Sequence, residues 1–207
     1  MHASEKYTER VQKLRAEYWT TIGEVNLKDL VFIDEAGVNI AMTRLFARSP
    51  QGSRAYGTRP DGRGKNVTMI GAISLEGIIA AMTFTGSTNA SAFVTYVTQV
   101  LVPNLWPGAT VVMDNFSSHI TGIKEALLLP LVQGWCICFL PPPDFSPIEN
   151  CWSKVKEFLR RRSPPQASLA ARTYEELDQA ITDALDAVTK KDIIGWFTHC
   201  CYYIAPN

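Results

Sequence analysis

The apolar residues of the chain are concentrated in five short runs separated by polar segments. These runs are rich in β-branched residues, and their lengths are typical of strands buried in a sheet. Two of them are separated only by a short turn and predict a β-hairpin. The predicted strands cover residues 30–33, 66–74, 77–85, 109–113 and 135–140.

Apolar residues spaced three and four apart predict helices between and after these strands. Pro103 ends one helix, Pro147 opens another at a first-turn position, and Thr173 with Glu176 forms a capping-box signal. The order of elements predicts an α/β fold with a mixed sheet covered by helices. The predicted helices cover residues 5–19, 89–101, 119–129, 146–161, 173–188 and 192–201.

Length and composition narrow the class of protein. A chain of 207 residues with 46% hydrophobic and 19% charged residues fits one globular domain with appendages and excludes a disordered chain. No run reaches the roughly 20 apolar residues that a membrane-spanning helix needs. The polar N-terminus lacks the apolar segment of a secretory signal, and the five cysteines show no C-x-x-C spacing. We therefore expect a cytoplasmic protein without membrane partners.

Basic residues are unevenly distributed although the formal net charge is zero. Residues 44–65 carry six basic residues against one acid, and residues 154–172 again carry six against one. Such patches are typical of contact with a phosphate backbone, although either one alone is equally typical of an ordinary solvated surface. The candidate DNA contacts are Arg54, Arg59, Arg63, Lys65 and Lys156.

Three acidic residues stand next to predicted elements. Asp34 and Asp114 each follow an apolar strand, and Glu149 lies early in a helix. Carboxylates at the ends of neighbouring strands can come close enough to bind Mg²⁺ or Mn²⁺, and two such ions can promote phosphodiester displacement. Taken singly, each acid could instead be a turn or cap residue. Trp152 shares a helical face with Glu149 and is expected to pack beneath such a site.

At these residues the sequence resembles the bacterial insertion-sequence transposases related to mariner elements, members of the DDE superfamily. The resemblance extends over roughly residues 30–161, and its most specific part is the last of its segments. The 34 residues between Asp114 and Glu149 are similar to the family's usual spacing in the mid-thirties. The matching segments are residues 31–37, 71–74, 86–90, 112–115 with His119, 140–142 and 146–154.

The resemblance implies a ribonuclease-H-like mixed five-stranded sheet flanked by helices, with extra C-terminal helices. It implies that residues 1–28 form an N-terminal linker helix, 29–162 the catalytic domain and 163–207 a helical extension. Asp34, Asp114 and Glu149 match the family's metal-binding catalytic triad. The implied cofactor is Mg²⁺, with Mn²⁺ as a substitute.

The implied function is that of the catalytic domain of a cut-and-paste DNA transposase, which hydrolyses phosphodiesters at transposon ends and transfers the freed strand. The implied partners are double-stranded DNA, a second copy of the chain and an N-terminal helix-turn-helix half from a preceding frame, in the bacterial nucleoid. The alternatives are another ribonuclease-H-like nuclease and a non-catalytic DNA-binding or dimerising remnant. A shortened proline segment at residues 141–143, relative to the family, favours the remnant.

Overall fold

The computed structural model describes residues 8–42, 48–54, 56, 62, 64–113, 136–139, 145–161 and 173–202, with only the backbone described for 136–139. Within these ranges no helix combines the length and the apolarity that crossing a membrane requires. The predicted helix at residues 119–129 and the shortened proline segment lie outside the described residues.

A five-stranded mixed sheet organises the fold. Its strands are β1 (Leu30–Val38), β2 (Val67–Ser74), β3 (Gly77–Thr85), β4 (Thr110–Met113) and β5 (Cys136–Phe139). They lie in the order β3-β2-β1-β4-β5. The first three are antiparallel neighbours, whereas β1, β4 and β5 run parallel. The predicted mixed five-stranded sheet is confirmed, and β2 and β3 form the predicted hairpin.

Strand β1 is longer than its apolar run predicts. The hydrophobic pattern ends at Ile33, yet the strand continues to Val38 because its outer half pairs with β2, from Asp34 opposite Gly71 to Val38 opposite Val67. Asp34 therefore lies within a strand rather than at its end. The described pairing with β4 on the other side ends at Phe32.

The two faces of the sheet are covered by different helices. One face packs against helix α2 (Ala90–Thr95) and the π-helical segment that continues it, Tyr96–Leu101. The opposite face packs against four helices in one continuous core. These are α1 (Glu9–Gly23), α3 (Pro147–Arg161), α4 (Tyr174–Asp186) and α5 (Lys190–His199).

The described helix α1 runs from Glu9 to Gly23, four residues beyond its predicted end, and buries Tyr18 and Ile22. Residues 5–7 of the predicted helix lie outside the described residues. Both belong to the same core as the sheet residue Phe32. The hydroxyl groups of Tyr18 and Tyr202 form a hydrogen bond. The helix expected to be a linker is thus packed against Tyr202, which follows α5.

Candidate active site

Asp34 occupies a half-buried position in the middle of the sheet. Side chains alternate between the two faces of a strand, and Phe32 and Ala36 both belong to the core beneath α3. Asp34 therefore lies on the α3 face. Glu35 lies on the other face, together with Ile33. Of these two adjacent acids, only Asp34 is on the side of the sheet that carries the predicted site.

Glu149 lies in the first turn of α3, and its side chain is exposed. Pro147 starts this helix, since its fixed φ suits a first turn and its missing N–H needs no partner there. Ile148 and Trp152, on either side of Glu149 along the chain, are buried against the sheet. Asp34 and Glu149 therefore lie on the same side of the sheet, one on a central strand and the other on the helix that covers it.

Trp152 packs directly on β2. A methyl group added to Gly71 would lie 2.7 Å from Cη2 of Trp152 and 3.1 Å from Cζ2, so only glycine leaves room for the indole. Gly71 is the register partner of Asp34. Trp152 is 3% exposed and packs beneath the helix, as expected from its spacing with Glu149.

The third predicted ligand, Asp114, lies outside the described residues, directly after β4. In the strand before it, Val112 of β4 pairs with Phe32 of β1 in parallel register. Among the described residues, no group of three or more His, Cys, Asp or Glu side chains could hold a metal ion. Asp34 and Glu149 nevertheless supply the carboxylate oxygens that Mg²⁺ and Mn²⁺ prefer as ligands. The other coordination positions of such an ion would be filled by other oxygen ligands.

The segment that leads into α3 is held by aromatic packing. The ring of Phe145 stacks on Tyr18 with a centroid distance of 6.2 Å and meets Trp19 edge to face at 5.0 Å. The guanidinium carbon of Arg15 lies 4.3 Å from the Phe145 ring centroid. Helix α1 thereby anchors the residue four positions before Glu149, a role that the hydrophobic pattern alone did not indicate.

The predicted DNA contacts are only partly described. Arg54 and Lys65 are exposed, and Lys156 is half-buried on α3. The backbone N–H of Lys65 donates to the hydroxyl group of Tyr174 at 2.6 Å, which ties the end of the basic loop to α4. Arg59 and Arg63 lie outside the described residues.

A charged link between α3 and α5 was not predicted. Lys154 donates to the carboxylate of Asp192, which also completes a capping box with Thr189. The hydrogen bond from Lys154, supported by that from Thr189, lowers the pKa of Asp192 to about 2. The spacing Thr-x-x-Asp was the available signal. This capping box starts α5 at Lys190, two residues before the start that the apolar pattern predicted.

The cysteine on α3, near the candidate metal site, is not a nucleophile. Cys151 is adjacent to Trp152 on α3 but is buried, and burial raises the pKa of its thiol to about 12. It therefore remains a protonated thiol at neutral pH. The acidic group that α3 places at its first turn is the carboxylate of Glu149.

A five-stranded sheet in this order, with helices on both faces and acids on the face covered by α3, defines a ribonuclease-H-like protein. The family of DDE superfamily endonucleases matches residues 29–169. The chain belongs to this family, and the predicted membership of the DDE superfamily is confirmed. No curated protein sequence matches the chain significantly.

Solved structures of the Mos1 mariner transposase are similar in fold. The Mos1 catalytic domain superposes with a TM-score of 0.61 at 13% identity over 97% of this chain and 89% of that one. The Mos1 strand transfer complex gives 0.67 at 15% identity over 97% of this chain and 59% of that one. A Mos1 paired-end complex with Mn gives 0.67 at 15% identity, over 98% and 63%. The chain thus spans about three-fifths of the two transposase chains in complexes.

Proposed function

We propose that the chain is the catalytic domain of a DNA transposase in which Asp34, Asp114 and Glu149 bind two divalent metal ions. One observation carries this proposal. Phe32 and Val112 are parallel partners, and each is followed two residues later by an aspartate. Continuation of both strands in that register would bring Asp34 and Asp114 side by side, on the face that α3 covers.

The three carboxylates would have distinct structural roles. Asp34, fixed between its pairing with β2 and the core below it, would be the rigid ligand. Glu149, exposed on the first turn of α3, would approach from above. The metal ions, when bound, would lower the pKa of the attacking water and stabilise the leaving oxygen. Mg²⁺ is the expected ion and Mn²⁺ its substitute, since both prefer oxygen ligands.

Double-stranded DNA is the proposed substrate, both as transposon end and as target. Arg54, Lys65 and Lys156 would contact its phosphates, together with Arg59 and Arg63 of the same basic loop. The hydrogen bond between Lys65 and Tyr174 would hold one end of that loop against the folded core. We propose that the active assembly is a dimer that acts on nucleoid DNA and requires a helix-turn-helix half to recognise the ends.

The test is strand joining. A labelled duplex with a free 3′-hydroxyl, taken from DNA flanking the coding region, is incubated with supercoiled target plasmid, protein and Mn²⁺. Joining of the label to the plasmid is the expected result. Nicking without joining would indicate a ribonuclease-H-like nuclease instead. Salt-sensitive DNA binding with neither product would indicate a non-catalytic remnant. The assay should be run with and without a fused helix-turn-helix domain.

A further inference from the structure

Gly71 and Trp152 are in close packing contact beside Asp34. Trp152 lies one turn after Glu149 on α3, and Gly71 lies opposite Asp34 on the adjacent strand. Register partners are about 5 Å apart, and residues separated by three positions on a helix are about as close. The contact therefore links the helix that holds one candidate ligand to β2, at the position paired with the other candidate ligand on β1.

We infer that the Gly71–Trp152 contact is a positioning device that sets the separation between Asp34 and Glu149, and hence the affinity of the site for divalent metal. This inference rests on the proposed function of those two carboxylates. Neither Gly71 nor Trp152 is a ligand or touches substrate in this account; both act through the spacing of α3 and β1.

The fit of the indole supports a role in spacing rather than in hydrogen bonding. Trp152 Nε1 is buried and has no hydrogen-bond partner within the described structure. A buried N–H without a partner contributes no hydrogen bond to stability, so the described contribution of the indole is its packing. The atoms nearest to Gly71 are Cη2 and Cζ2, at the far edge of the ring. Phenylalanine at position 152 would lack that edge and would break no hydrogen bond among the described residues.

Alanine at position 71 would force the helix away from the sheet. Its methyl group would meet Trp152 Cη2 at 2.7 Å, closer than carbon atoms approach without displacement. The indole is enclosed by the core and has little freedom to move alone, because interiors are close-packed. The displacement would reach α3, and Glu149 would move relative to Asp34.

Gly37 provides the matched control. It also lies in the sheet, on β1, and a methyl group added there would have no neighbour within 4 Å. Gly71→Ala and Gly37→Ala thus make the same chemical change in the same sheet, and only the former meets Trp152. The double variant Gly71→Ala with Trp152→Phe restores the space above position 71.

The experiment compares these variants by two Mn²⁺ titrations. One follows the rise in thermal unfolding midpoint, which reports binding to the folded state, and the other follows plasmid nicking. We expect Gly71→Ala to raise the required Mn²⁺ concentration about 10-fold or more, in the range found when groups that orient metal ligands are lost. Gly37→Ala should match the wild type, and the double variant should return towards it.

Several outcomes would overturn the inference. A folded Gly71→Ala protein with the wild-type Mn²⁺ requirement would do so, as would a loss that Trp152→Phe fails to relieve. Trp152→Phe alone opens a gap above Gly71, and we expect a raised Mn²⁺ requirement in a folded protein. A wild-type requirement there overturns the inference whether or not Gly71→Ala folds. Wild-type protein that neither binds Mn²⁺ nor nicks DNA would instead contradict the proposed function on which the inference rests.

Discussion

Phe32 of β1 and Val112 of β4 are partners in parallel register at the centre of the sheet. Both are buried beneath α3, in the core that also contains Trp152. Because parallel strands advance in the same direction at the same rise per residue, residues equally far beyond such a pair tend to remain neighbours. The pair therefore defines where the acids that follow, Asp34 and Asp114, would meet.

The first prediction separates Asp34 from its neighbour. Asp34→Asn should lower metal-dependent nicking by roughly 100-fold or more, because a neutral amide replaces a charged metal ligand. Glu35→Gln removes one charge at the next position but on the opposite face of the sheet, so it should retain activity. Nicking rates and circular dichroism of both variants provide the check. Equal losses in the two variants would contradict the assignment of Asp34.

The second prediction concerns Lys156 and DNA affinity. Lys156→Ala should weaken binding to duplexes of any sequence and reduce the slope of log affinity against log salt concentration by about one, the effect of one lost phosphate contact. Lys191→Ala, an exposed lysine on α5, serves as control. Fluorescence anisotropy at several salt concentrations measures the slopes. An unchanged slope for Lys156→Ala would remove this residue from the proposed interface.

The third prediction uses the low pKa of Asp192. Its carboxylate is stabilised in the folded state mainly by Lys154. The contribution of this carboxylate to the free energy of unfolding is therefore present above the ordinary pKa near 3.8 and is lost as the pH falls towards 2. Asp192→Asn should therefore lower the free energy of unfolding by about 1 kcal/mol at pH 7 and by progressively less between pH values of about 4 and 2. Denaturant unfolding across this pH range measures the difference.

Asp186→Asn makes the same substitution at the exposed end of α4 and is the control for that series. A difference between Asp192→Asn and the wild type that stays constant from neutral pH to pH 2 would contradict the role of the charge. Such a result would indicate that Asp192 stabilises the protein through the hydrogen bonds of the capping box and not through its charge.

The sequence predicted the sheet well because its strands are short apolar runs, and the capping box at Thr173 located α4. It placed Asp34 at a strand end because apolar character stops at Ile33. The rest of β1 is held by pairing with β2, which a pattern along one chain does not encode. For the same reason the sequence did not indicate that position 71 needs glycine, because the side chain that fills the space there, Trp152, is far along the chain.

Two further features depend on tertiary packing. Tyr18 and Phe145 are ordinary aromatic residues in the sequence, and only the fold stacks them and so anchors the start of α3. The π-helical turn at Tyr96–Leu101 interrupts what the apolar spacing predicts as a regular helix. Of the candidate site, the sequence supplied the residue types and their spacing, and the structure supplied the common face of Asp34 and Glu149.

Metal-dependent nicking of supercoiled plasmid by the wild type and by Asp114→Asn tests the central claim most directly. The substitution keeps the shape of the side chain and removes its charge, and Asp186→Asn, purified in parallel, controls for preparation. We predict Mn²⁺-dependent nicking by the wild type and by Asp186→Asn, and its loss in Asp114→Asn. Equal nicking by all three proteins would contradict the claim that Asp114 completes the site with Asp34 and Glu149.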